Sequence, residues 1–318
     1  MHVISQVQTT QHLPFDRLIA ALEGAFREGC EVPLRHNHPI AGQDGQDGIL
    51  LLMPAWQVGK RMGVKTVSIF PGNQAKGLPG LHSVFVLYDA STGVPLSILD
   101  GDAITSRRTA AASALAAKFL SRPDASSLLV VGAGRVGSLL PAAYRSVRPI
   151  EHVRVWDRRP EASEAMAARL RDEGIAAESV EDLEQAAQNA DIITCATLST
   201  APLIRGSWLK AGAHLDLIGS FTPDMRESDN ACFQRSTVFI DTEEALLKAG
   251  DLLAPMKTGA FVRDQVAATL EQLCRREHPG RTRADEVTLF KAVGTALEDL
   301  AAASLAYDAF NFDNPEIR

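Results

Sequence analysis

The sequence predicts an α/β fold in two parts, a doubly wound parallel sheet and a smaller α+β domain. Three observations carry this. From residue 127 onward, short apolar segments alternate with helical patterns. A glycine cluster, VVGAGRVG, stands between the first of those segments and the helical stretch after it. Before residue 101, by contrast, apolar segments follow one another with only Gly, Pro and Asn turns between them. Strand–helix alternation covers both faces of a sheet and marks parallel pairing, whereas strands joined by tight turns pair antiparallel.

The elements follow in order. In PFDRLIAALEGAFREG (14–29), Leu18, Leu22 and Phe26 share one stripe at helical spacing and Pro14 suits a first turn, so a helix is expected. GILLLMPA (48–55), GVKTVSIFP (63–71), LHSVFVLYDA (81–90) and PLSILD (95–100) are short and rich in strand-forming residues, which predicts a sheet. AITSRRTAAASALAAKFLS (103–121) is alanine-rich and helical, and Pro123 stops it. SLLVVGAG, HVRVWDR, a weak strand near 175–179, DIITCAT, AHLDLIGS and STVFIDT then alternate with helices after the glycines, at 160–173 and at 181–189, and with a linking helix before AHLDLIGS. HPGRTRADE (278–286) reads as exposed, and VTLFKAVGTALEDLAAASLAYDAF (287–310) as one long helix that packs back on the first domain. The expected division is 1–120 with 288–318, and 121–287.

Composition narrows the function classes. A chain of 318 residues with 46% hydrophobic content can bury a sizeable core. Its net charge of −7, with no basic stripe, argues against a nucleic-acid partner. Cys30, Cys195, Cys232 and Cys274 are far apart, with neither CxxC nor ligand-like spacing, so free thiols in a cytoplasmic protein are expected. No apolar run is long enough to span a bilayer and the amino terminus does not read as a leader, so no membrane partner is expected. His36 and His38 form an HxH pair without a third ligand nearby, so no metal is expected; Asp44 and Asp47 read as turn caps.

Gly132, Gly134 and Gly137 complete a GxGxxG directly after an apolar strand and before a helical pattern. Such glycines allow a tight turn, close approach of a pyrophosphate and close helix–strand packing, with Arg135 and Val136 inside the loop. The next strand ends in Asp157, where a carboxylate can accept bonds from the adenosine ribose. A Rossmann-type dinucleotide domain is therefore expected. Asp157 would repel a 2′-phosphate, while Arg158 and Arg159 offer a grip for one, so both NAD(H) and NADP(H) stay open. The first domain contributes Arg35, Lys65 and Arg108, cations among apolar residues or at element ends, and two guanidinium forks with a lysine suit a carboxylate.

At this point the chain resembles the ornithine cyclodeaminase and μ-crystallin family over nearly its whole length. The motifs are LMPAW, GVKTVSIFPGN, GLPGLHSVFVLYDASTG, DGDAITSRRTAAASALAAKFL, VVGAGRVG, IGSFTPDMRE and FKAVGTALEDLA. The resemblance implies a homodimer in which the first domain and returning helix form the substrate-binding and dimerisation part. It implies Arg35, Lys65 and Arg108 as ligands of a substrate carboxylate, and Ser83, Thr197 and Val293, together with Arg108, on the cofactor side.

Two positions depart from the cyclodeaminase pattern. Where that enzyme has a glutamate for its diamino acid, this chain has Leu51; where it has a proton-handling aspartate, this chain has Phe221. Leucine and phenylalanine cannot serve as a base near an α-amine, and they make an apolar wall suited to a ring of methylenes. The expected reaction is therefore reduction of Δ1-pyrroline-2-carboxylate or Δ1-piperideine-2-carboxylate, with Lys65 and His82 as candidate proton donors. The alternatives are a cyclodeaminase or amino-acid dehydrogenase in which Asp224 or Glu227 replaces the missing acid, and a non-enzymatic binder of NADPH and a small ligand.

Overall fold

Two sheets form in the computed structural model, which describes residues 1–42 and 47–314; Asp44 thus lies outside the described residues. The chain divides into one unit of Met1–Arg108 with the segment from Thr295 onward, and a second of Thr109–Gly294. The expected boundaries at 120/121 and 287/288 differ from these for two reasons. The first division falls inside a continuous helix, and residues 288–291 belong to the second sheet.

In the first unit, β1 (His2–Ile4), α1 (Gln6–Gln11) and α2 (Phe15–Glu28) precede β2 (His36–Ile40), β3 (Gly48–Trp56), β4 (Arg61–Ile69), β5 (Leu81–Asp89) and β6 (Pro95–Asp100). The sheet order is β1-β6-β5-β4-β3-β2, with β1 parallel to β6 and the other neighbours antiparallel. Alternation puts Met53, Lys65 and Phe85 in one cross-strand row and Leu51, Val67 and Ser83 in the next, all on one face. Helix α2 buries its Leu18, Leu22 and Phe26 stripe and packs on the last helix, α11 (Ala296–Asp313), which lies against β3, β4 and β5. From β6 the chain enters α3 (Gly101–Leu120), at whose start Asp100 accepts a bond from Ala103 N at 2.7 Å.

In the second unit, β7 (Ser127–Val131), α4 (Leu140–Arg145), β8 (His152–Trp156), α5 (Pro160–Asp172), β9 (Ala177–Ser179), α6 (Leu183–Asn189), β10 (Ile192–Cys195) and β11 (His214–Leu217) alternate as predicted. They continue into α7 (Asn230–Arg235), β12 (Thr237–Ile240), α8 (Ala245–Lys248), α9 (Gly250–Lys257), β13 (Val266–Thr269), α10 (Leu270–Cys274) and β14 (Thr288–Lys291). All pairs are parallel, in the order β13-β12-β14-β11-β10-β7-β8-β9. The order reverses between β7 and β10, and at such a switch point the carboxyl ends of neighbouring strands leave a crevice.

Two expectations need correction. Residues 287–310 are not one helix, because Thr288–Lys291 form a buried strand between β11 and β12; the turn at Gly294 (φ 76°) and the Thr295 N-cap start α11 only afterwards. The linking helix before β11 is a single 3₁₀ turn, Gly206–Trp208, and the helix after the glycines is short, with Pro141 in its first turn. Segment 278–286 is mostly exposed, yet Arg281 anchors it by donating to the carbonyls of Leu120 and Ala213 at 2.7 and 3.0 Å. The four cysteines are free thiols, and among the described residues no cluster of three metal-ligating side chains occurs and no helix is long and apolar enough to cross a membrane.

Candidate active site

The first unit gathers Lys65 from β4, Arg108 from α3 and two acids from the first turn of α11. Lys65 Nζ lies 2.7 Å from Asp299 Oδ2 and donates to Thr105 Oγ1 at 3.1 Å. Arg108 Nε donates to Asp299 Oδ1 at 2.9 Å, and its Nη1 to Glu298 Oε2 at 2.7 Å. All four side chains are buried. Burial pulls the Lys65 ammonium down to about 8, with Asp299 working against that shift and Arg108 and Arg35 adding to it. Burial would raise the Asp299 carboxyl, but the adjacent Lys65 and Arg108 hold it below its ordinary range. Arg35, half-buried ahead of β2, stands within electrostatic reach of Lys65. Of the three basic residues marked in the sequence, Lys65 and Arg108 share the Asp299 carboxylate, and Arg35 acts on Lys65 electrostatically.

Leu51 and Ser83 lie on the face that carries Lys65, one row away; Ser83 Oγ donates to Asp102 Oδ1 at 2.6 Å. His82 does not join them. It pairs with Ser68 on the alternate register, so its side chain projects from the opposite face of the sheet and is exposed. The period of two that places Ser83 inward necessarily turns His82 outward, which removes it as a proton donor to this cluster. His36 and His38 stand on an exposed edge strand, with ring centroids 6.4 Å apart.

In the second unit the glycine loop leaves β7 beside β10. Gly132 has φ 106°, and a Cβ there would come 2.7 Å from the Ala196 carbonyl. At Gly137 a Cβ would collide with the Gly132 carbonyl, so the turn closes only with glycine. Gly134 faces open space, which leaves its backbone approachable by a pyrophosphate. Asp157 follows β8; its Oδ2 accepts from Ala133 N at 2.8 Å and its Oδ1 from Arg159 N at 3.0 Å. These amide bonds outweigh partial burial and keep its carboxyl below the usual range, ionised to receive ribose hydroxyls. Arg135 and Arg158 are exposed, and Val136 is half-buried. The turn, the open approach at Gly134 and the fixed carboxylate fit the adenosine-pyrophosphate part of a nicotinamide dinucleotide.

Thr197, Phe221 and Val293 all lie just beyond the carboxyl ends of β10, β11 and β14. Phe221 is 46% exposed. Val293 N and Gly294 N both donate to Asp241 Oδ2 at 2.6 Å, which fixes the turn after β14. Glu227, fully buried, accepts from Thr197 N and Thr197 Oγ1 at 2.7 Å, while its Oε2 has no hydrogen-bond partner. Burial pushes the Glu227 carboxyl up to about 7 despite Lys291, whose ammonium donates to the carbonyls of Leu217 and Gly219. Asp216 on β11 accepts from Ser113, Thr194 and Tyr144, and burial raises it to about 6.

The sequence reading missed the acids. Glu298 and Asp299 sit in the ALED motif, where acids in a first helical turn ordinarily serve the helix dipole. The overlooked signal was their setting: both stand in the run ALEDLAAASLA, whose other residues are apolar or small, where a carboxylate must find a buried partner.

The profile of the Ornithine cyclodeaminase/mu-crystallin family matches residues 1–313. A Delta(1)-pyrroline-2-carboxylate reductase of Paracoccus denitrificans is 40% identical over 88% of this chain and 91% of its own. The structure of Thermococcus litoralis Delta(1)-pyrroline-2-carboxylate reductase in complex with NADH and L-proline superposes with a TM-score of 0.92 at 32% identity, covering 99% of this chain and 98% of that one. An archaeal alanine dehydrogenase dimer with bound NAD follows at a TM-score of 0.89 and 28% identity, covering 98% and 96%. The chain belongs to the ornithine cyclodeaminase/mu-crystallin family.

Proposed function

We propose that this chain is an NAD(P)H-dependent reductase of cyclic imino acids, converting Δ1-pyrroline-2-carboxylate or Δ1-piperideine-2-carboxylate to L-proline or L-pipecolate. The observation that carries this reading is the buried pairing of two cations: Lys65 and Arg108 are held side by side by Asp299, on the sheet face that also carries the apolar Leu51. A fixed ammonium and guanidinium suit a substrate carboxylate, and a methylene ring suits the leucine. The relatives described above, named for Delta(1)-pyrroline-2-carboxylate reduction, support the same substrate class.

The glycine loop, Asp157 and the strand-end residues Thr197 and Val293 would hold NAD(P)H, which when bound supplies a hydride to the imine carbon. Arg108 and Arg35 orient the substrate carboxylate through their guanidinium groups. Lys65 gives a proton to the ring nitrogen as C=N becomes CH–NH. An ammonium that titrates near 8 is charged at neutral pH yet acidic enough to donate. The ordered Asp157 carboxylate favours NADH over NADPH.

Cyclodeaminase chemistry fits less well. Asp224 is exposed, and Glu227 is buried and committed to Thr197, so neither takes the place of the acid absent at Phe221. A second copy of the chain has a surface to bind: on the sheet face opposite Lys65, Leu50, Leu52, Val64 and Val86 are half-buried and Val84 is 46% exposed. Val84→Glu should convert a homodimer to monomer in sedimentation; an unchanged sedimentation coefficient would place the interface elsewhere.

The clamp is tested by comparing Δ1-pyrroline-2-carboxylate with 2-methyl-1-pyrroline, which has the ring imine but no carboxylate. Reduction of the first alone, with proline as product, supports the reading. Equal rates with both, or no proline, would refute it.

A further inference from the structure

We propose that Asp299 is a positioning residue for the proton-transfer step, holding Lys65 in its charged form and fixing Nζ between α11 and α3. This deepens, and rests on, the reading of Lys65 as the proton source. The geometry is specific. Asp299 splits its carboxylate between the two cations, with Oδ2 at 2.7 Å from Lys65 Nζ and Oδ1 at 2.9 Å from Arg108 Nε. Lys65 thereby acquires a fixed direction that a lone ammonium on a four-carbon stem does not have.

The neighbourhood makes Asp299 decisive. On Lys65's own sheet the cross-strand neighbours Met53 and Phe85 are apolar and buried. From α3 come Arg108 and the Thr105 hydroxyl, and from the segment before β2 comes Arg35; both arginines disfavour a third positive charge. Asp102, also on α3, bonds Ser83. Glu298 reaches Arg108. Burial and two arginines thus push Lys65 towards neutrality, and Asp299 is the carboxylate in direct contact that opposes them. Without it, Lys65 would lose its proton at a lower pH and no longer offer one to the imine at neutral pH.

Lysine 13Cε NMR with pH, the Lys65 signal assigned by its loss in Lys65→Arg, reads the ionisation without any turnover. Wild type should titrate near 8. Asp299→Asn should titrate at least one pH unit lower, Asp299→Glu should recover most of the shift, and Glu298→Gln should move it less than Asp299→Asn. In parallel, the alkaline limb of kcat/KM for the cyclic imino acid should move down by the same interval in Asp299→Asn. If Asp299→Asn does not fold, Asp299→Glu and wild type still decide: an ordinary lysine titration in wild type overturns the proposal. An unchanged Lys65 titration in folded Asp299→Asn also overturns it. A shifted titration with an unmoved kinetic limb shows that Asp299 sets the lysine but that the lysine is not the proton source, which refutes the catalytic half. Absence of imine turnover in wild type refutes the functional reading while the NMR titration still judges Asp299.

Discussion

Glu227 Oε1 accepts two hydrogen bonds from one residue, the backbone nitrogen and the hydroxyl of Thr197, each at 2.7 Å. Its backbone is held in turn by Asp251, which accepts from Glu227 N and Ser228 N at 3.1 and 2.9 Å. The carboxyl therefore ties the end of β10 to the segment following β11. Glu227→Ala leaves two part-buried donors unpaired and should cost about 1–3 kcal/mol in denaturant unfolding. It should also weaken NADH binding by about tenfold or more, because Thr197 loses its fixed position. Glu227→Gln retains an acceptor for both bonds and should lose far less. Equal damage from the two variants in NADH titrations would show that side-chain charge, not the bonds to Thr197, matters.

The same carboxyl makes stability depend on pH. Its folded value near 7 lies above the ordinary 4.5, so the folded state holds a proton that the unfolded chain has already released. This contribution is complete below 4.5 and disappears as pH rises through 7. Asp216 acts in the same sense, raised from 3.8 to about 6. Glu227→Gln should flatten the decline in unfolding free energy between those limits. A variant with the wild-type slope would remove Glu227 as its cause.

His214 sets the acid limb in the opposite direction. It is fully buried, its Nδ1 lies 2.9 Å from Thr288 Oγ1, and its Nε2 has no partner. Burial, with Arg281 and Arg148 nearby, depresses it from 6.5 to about 3. The unfolded chain therefore takes up a proton first, and stability falls as pH drops below 6.5 until the folded value is reached. Thermal unfolding across that range should be less pH-sensitive in His214→Asn. Identical pH slopes in the two proteins would contradict this.

Asp157 offers a test of cofactor choice. Because both its oxygens are already oriented by Ala133 N and Arg159 N, Asp157→Ser should shift the ratio of kcat/KM for NADH over NADPH towards NADPH by about tenfold. Arg158 and Arg159 remain to receive a 2′-phosphate. An unchanged ratio would mean that another residue reads the ribose.

Periodicity made most of the fold legible. The helix at Phe15–Glu28 and the strands from Gly48 to Asp100 announced themselves by stripe and turn, and the glycine loop by its context. The strand Thr288–Lys291 did not, because a short apolar run next to an alanine-rich helix has no period of its own; burial on both sides decides it. His82 was misplaced for a related reason. Residue type suggested a proton donor, whereas the register of β5 against β4 decides the face. Glu298 and Asp299 show what a linear reading cannot weigh, since their partners Lys65 and Arg108 are brought to them only by the sheet and α3.

The most direct test is oxidation of NADH and NADPH by the purified protein with Δ1-pyrroline-2-carboxylate and Δ1-piperideine-2-carboxylate, beside an ornithine-to-proline assay on the same preparation. Imine-dependent oxidation without ornithine turnover is the predicted result, since Leu51 and Phe221 offer no carboxylate to a diamino acid. Release of ammonia and proline from ornithine, with the imines inert, would contradict it.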